Sequence, residues 1–183
     1  MIQFLKKIVN LARNLGIISY DPFFCHKTKW KKVKIEYLSM EEIQRITDKK
    51  ITIKRIEVVR DIFLFGSYTG LSYIDIKNLT VNNIQRQHDE SYWIITTRQK
   101  TGNRVELPLL DIPLKIITKY EKERDDLKLL PVMSNQKLNS YLKEIADICG
   151  INKRLTFHVA RHSFSTSISV KRYFCFGCLG YLG

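Results

Sequence analysis

The chain has 183 residues, 44% of them hydrophobic and 27% charged, enough apolar material to bury a core, so wholesale disorder is excluded. No window approaches the ~20 uncharged apolar residues of a membrane span. Thirty-one Lys and Arg against 18 Asp and Glu give a net charge of +13, which points to a polyanionic partner, nucleic acid before others.

The opening MIQFLKKIVNLARNLG has helically spaced apolar positions broken by charges, which is not a secretory signal. Ile2, Leu5, Ile8, Val9, Ala12 and Leu15 share one helical face, and Gly16 is a C-terminal stop. Such a helix has nothing to pack against by itself, so it reads as the end of a domain cut at its N-terminus. After an Asp21-Pro22 turn, residues 26–34 (HKTKWKKVK) place Lys27, Lys29, Lys31, Lys32 and Lys34 around Trp30 with no acid between them. This stretch is either a solvated tether or a strap along phosphates.

Ser39 and Glu42 fit a capping box opening a helix to about Thr47. Residues 55–68 (RIEVVRDIFLFGSY) are apolar enough for a buried central helix, which stops at Thr69-Gly70. Ser72 with Asp75 caps a short helix to Leu79. Tyr92 to Thr97 is β-branched and aromatic, Thr101-Gly102-Asn103 is turn chemistry, and Arg104 to Leu107 returns: a hairpin. Pro113 starts a helix to about Glu123, and Leu138, Tyr141, Leu142, Ile145 and Ile148 mark another, closed by Gly150. Thr156 caps a last helix, FHVARHSFSTSIS. The expected fold is mainly α (α+β), with one small antiparallel sheet.

His158 and Arg161, three apart on that last helix, share a face. Most such pairs are surface or core-satisfied groups, and hairpin lysines such as Lys100 are common solubility residues. Taken together, however, the three make a cationic set suited to a phosphate. A guanidinium grips two oxygens bidentately, an imidazole donates or shuttles a proton, and an ammonium can protonate a leaving alkoxide.

The order of the segments resembles the tyrosine recombinase (phage integrase) family, in the form found in Bacteroidetes mobile elements. The likeness rests on Thr69-Gly70-Leu71, the hairpin block RQKT with Lys100, the helix in LLPVMSNQKLNSYLKEIADICGI, and LTFHVARHSF, in that order. It implies a helical catalytic domain at 38–170, preceded by the last helix of a core-binding domain (1–25) and a basic linker (26–37) that crosses duplex DNA. It implies a tyrosine that attacks a DNA phosphodiester in two transesterifications through a 3′-phosphotyrosyl link, without metal or nucleotide cofactor. Lys100, His158 and Arg161 stand at the positions of the family's catalytic cations, and His162 at that of a neighbour that packs the site. The five strap lysines would hold duplex DNA, and full-length recombinase protomers are possible partners.

The sequence departs from the family twice. Ser72 occupies the place of the first catalytic arginine; Arg60 and Arg98 are the candidate replacements. After the HxxR block the family continues to a tyrosine-bearing helix, whereas residues 171–183 carry three glycines, Cys175 and Cys178 and no helical pattern. Shifting the reading frame by one base permits a string like the family's own continuation, so the tail is expected to be out-of-frame sequence. Cys175-x-x-Cys178 lacks a second ligand pair for zinc. The four scattered cysteines (Cys25, Cys149, Cys175, Cys178) form no disulfide framework and fit a reducing cytoplasm. The expectation is a recombinase lineage whose chain binds DNA without a nucleophile; the alternative is a general basic nucleic-acid binder.

Overall fold

The computed structural model describes residues 2–24, 36–88, 90–123 and 127–168. The strap lysines Lys27, Lys29, Lys31, Lys32 and Lys34, and the tail 171–183 with its two cysteines, lie outside the described residues. The chain divides into two compact units, Met1–Lys34 and Ile35–Gly183.

In the first unit α1 (Ile2–Asn14) follows the apolar period of the sequence. Gly16 closes it with φ 72°, and the Ile17 N–H reaches back to the Ala12 carbonyl at 2.9 Å. Phe4, Ile8, Leu11 and Leu15 are exposed.

The second unit is built around α3 (Lys54–Thr69), whose Ile56, Val59, Ile62, Phe63, Leu64 and Phe65 are buried. Each such side chain contributes roughly 1.5–3 kcal/mol by leaving water. Around it pack α2 (Met40–Asp48), α5 (Asp111–Tyr120), α6 (Asn135–Ile148) and α7 (Phe157–Ser163). Helix α2 opens with the expected capping box, Ser39 N–H donating to Glu42 Oε2 at 2.7 Å. The short α4 (Tyr73–Asn78) opens with a second one, formed by Ser72 and Asp75.

The sheet has three antiparallel strands in the order β1 (Ile84–Arg86), β2 (Tyr92–Thr97), β3 (Arg104–Pro108). The register pairs Ile94 with Ile84 on one side and Leu107 on the other, which puts Ile94 in the core. Helix α5 starts two residues before Pro113, because the first-turn N–H groups have no helical partner and a proline costs nothing there. It ends at Tyr120, in a 3₁₀ turn over Glu121–Glu123.

The last helix corrects two expectations. Thr156 occupies the N-cap without a side-chain cap bond; the Phe157 N–H donates instead to Asn139 Oδ1 of α6 at 2.8 Å. The α-helical path also ends at Ser163, and Phe164–Ile168 form a π-helical turn. Glycines on α3 let this segment approach. A Cβ on Gly66 would stand 2.7 Å from the Phe157 ring, and one on Gly70 would meet Phe164. Gly70 also takes the left-handed C-cap at φ 68°, which L side chains rarely adopt.

Candidate phosphate-binding cleft

Where α4, α6 and α7 meet, Ser72, Tyr73, Asn135, Asn139, Thr156, Phe157, His158 and Arg161 line a cleft of about 220 Å³. Its lining holds no acidic side chain. The N-cap bond from Asn139 fixes the start of α7, and Asn139 is itself held by Nδ2 donating to the Asn135 carbonyl and side-chain oxygen, both at 2.9 Å. At the other end of α7, Ser163 Oγ accepts the Leu38 N–H and donates to the Val159 carbonyl, both at 2.8 Å. His158 and Arg161 therefore project from a helix held at both ends. No ion pair or side-chain hydrogen bond engages the Arg161 guanidinium among the described residues.

Arg60 and Lys119, by contrast, are committed to protein partners. Arg60 donates to Asp61 Oδ1 at 2.9 Å and to the Lys49 carbonyl at 2.7 Å. Buried Asp61 also takes Lys119 Nζ at 2.6 Å and the Tyr120 hydroxyl at 2.8 Å, tying α5 to α3. Arg60, one of the two expected replacements for the family's first arginine, is thus engaged by partners within the protein.

The structure brings Ser72, His158 and Arg161 into one cleft, but neither Lys100 nor Arg98 is among its lining residues. What joins the hairpin to the cleft is Asp75, which is buried. Its Oδ2 accepts the Ser72 hydroxyl at 2.7 Å, and its Oδ1 accepts the Gln99 N–H at 3.0 Å. Asn78 Nδ2 adds a bond to Gln99 Oε1 at 2.9 Å. Gln99 lies between Arg98 and Lys100, so the segment after β2 that carries both cations is anchored to Asp75, which also holds Ser72 of the cleft lining. Lys100 is exposed; Arg98 is half-buried, and its Nε is buried with no hydrogen-bond acceptor among the described residues. An unpaired buried donor costs about 1–3 kcal/mol until an acceptor arrives. Sequence reading saw Asp75 only as the partner of Ser72, because its second bond spans 24 residues.

His162, expected to pack the site, is not among the cleft's lining residues but touches His158. Its Nε2 lies 2.8 Å from His158 Nε2, with the rings edge-to-face at 81°. Burial first, then the charges of His158 and Arg161, hold its pKa below the ordinary value. A larger hollow of about 310 Å³, lined by Arg86, Gln87, His88 and Glu90, gathers no comparable chemistry, since Arg86 is already paired with Glu90 at 2.9 Å. Among the described residues no group of His, Cys, Asp or Glu could hold a metal ion, and no helix is long and apolar enough to cross a membrane.

The fold is that of solved tyrosine recombinases. It is similar to a lambda integrase dimer bound to a COC′ core site (TM-score 0.69, 14% identity, covering 91% of this chain and 50% of that one). It is similar to the XerH site-specific recombinase bound to difH substrate (TM-score 0.61, 16% identity, 91% and 53%). It also matches the XerA recombinase (TM-score 0.56, 21% identity, 74% and 50%). The chain spans about half the length of each of these. No curated protein sequence matches it. Residues 36–172 match the phage integrase family across the helical unit that forms the cleft, so the chain belongs to the phage integrase family.

Proposed function

We propose that this chain takes part in site-specific DNA recombination, holding a backbone phosphate of duplex DNA in the cleft between α4, α6 and α7. The observation that carries the reading is Arg161: an arginine with no anionic partner among the described residues, in a cleft whose lining has no acid, beside His158. In the tyrosine-recombinase reaction the guanidinium grips two non-bridging oxygens and the imidazole donates to the same phosphate. The tyrosine oxygen forms a bond to phosphorus as the 5′-oxygen leaves, and Lys100 supplies that oxygen's proton, a role worth roughly 10²–10⁴ in rate. Arg98, whose Nε lacks an acceptor, supplies the second guanidinium in place of the one missing at Ser72. Residues 38–170 act as the catalytic domain, 26–37 as a basic linker along the duplex, and 1–25 as the end of a core-binding domain. Further recombinase protomers are the protein partners.

The described residues supply no tyrosine free to attack in the cleft. Tyr73 lines it, but its hydroxyl donates to the Met133 carbonyl at 2.8 Å. With no nucleophile free among the described residues, we assign them the binding step, without cleavage. A nicked duplex that traps covalent intermediates tests this: the expected result is salt-sensitive binding with no covalent adduct. An adduct formed by this chain would overturn the non-cleaving assignment. Preference for RNA over duplex DNA would overturn the DNA reading.

A further inference from the structure

We propose that His162 is the positioning partner of His158, a neutral imidazole that accepts a proton from it and so lets it meet a phosphate as a cation. The inference deepens the phosphate reading of the cleft and rests on it only for the last arm of its test. The geometry is a 2.8 Å approach of two Nε2 atoms on adjacent turns of α7. A hydrogen bond at that distance needs one donor and one acceptor, so the line between the rings holds a single proton. Two cationic rings would set N–H against N–H, with Arg161 as a third positive charge on the same helix.

The surroundings decide which ring stays neutral. His158 is exposed, while His162 is half-buried. Burial and the two neighbouring cations all push the His162 imidazole toward its neutral form. Among the described residues lining the cleft, α4 presents Ser72 and Tyr73, α6 presents Asn135 and Asn139, and none of these is charged. On the α3 side, Gly66 and Gly70 meet the aromatic rings of Phe157 and Phe164, and from the π-helical turn the Ser165 and Thr166 hydroxyls donate to the Arg161 and His162 carbonyls. With His162 accepting at Nε2, a cationic His158 has its Nδ1–H left over, and no described residue takes it. That N–H is the donor for a phosphate oxygen. A phosphodiester entering the cleft draws the shared charge onto His158, and His162 lets it stay there without a second positive ring.

Nitrogen-15 NMR titration of the imidazoles in the full chain tests the pairing, with exposed His88 as an independent reference. The expected result is that the pair titrates in two coupled steps, with His162 losing its proton below the ordinary imidazole value. Independent titration of the two rings near that value would overturn the proposal. In His162→Gln the amide can still accept a hydrogen bond but cannot titrate, so His158 is expected to show one step; two remaining steps would also overturn it. Addition of a short DNA duplex is expected to raise the His158 step while His162 stays neutral. Coupled steps that ignore the duplex would uphold the pair while overturning the phosphate reading of the cleft.

Discussion

At the scale of single residues, the contrast between Arg60 and Arg161 separates structure from function. Both are arginines on helices of the same unit. Arg60 has a carboxylate at 2.8 Å and a carbonyl at 2.7 Å, and among the described residues Arg161 has neither. Replacing Arg161 by Ala is therefore expected to leave thermal stability within ±0.5 kcal/mol but to lower duplex affinity about 10–100-fold, as lost charge-assisted hydrogen bonds do. Arg161→Lys should recover little, because an ammonium cannot grip two oxygens at once. Equal affinity of the wild type and Arg161→Ala, measured by fluorescence anisotropy, would remove the cleft from the DNA interface. Gly70→Ala acts by the opposite route. The left-handed φ costs about 1–2 kcal/mol with a side chain, and the new Cβ displaces Phe164 for a further ~1–3 kcal/mol. Denaturant unfolding should show the sum.

At the scale of elements, the cleft depends on how α2, α4 and α7 are capped. Glu42 illustrates the pH side of this. Burial pushes its carboxyl up, but the Lys153 ion pair at 2.6 Å and the hydrogen bonds to Ser39 outweigh burial and leave its pKa below the ordinary value. A depressed folded-state carboxyl stabilises fully above the unfolded pKa, and that contribution is lost as pH falls through the folded value. Glu42→Gln should thus cost about 0.5–2 kcal/mol at neutral pH and nothing at pH values below the folded pKa. An unchanged difference across an acid titration of stability would contradict the assignment. Asp75 does the same service between α4 and the hairpin. Asp75→Ala should speed hydrogen exchange at the Gln99 amide while the buried amides of α3 stay protected, because only the local anchor is lost.

At the scale of the whole molecule, the charge of +13 is spread over parts with different roles. In the core Lys119 and Lys153 are paired with carboxylates, while Arg161, Arg98 and Lys100 have no ion pair among the described residues. The five strap lysines are the densest acid-free cluster. If each neutralises one phosphate, changing all five to Gln should flatten the slope of log affinity against log salt by as much as about 4–5 units. A slope unchanged by that substitution would place the strap off the duplex.

Much of this was legible locally. The two capping boxes, the apolar run of α3, the β2–β3 hairpin and the His158–Arg161 face each depend on residues two to four apart, and the family likeness on the order of such blocks. Strand β1 was missed because three residues carry too little alternation to register. The spacing of His158 and His162 was readable as one helical turn, yet their pairing needed the ring geometry. By itself the sequence determined the helices, the hairpin, the basic balance and the order of motifs, since propensity, capping and charge act over a few residues. Only the tertiary structure decided that Asn139 caps α7 from 18 residues away, that Asp75 binds the hairpin to Ser72, and that Arg60 is engaged while Arg161 has no ion pair among the described residues. A polar group's role is set by the partner that folding places within about 3 Å, and for these residues that partner came from another element.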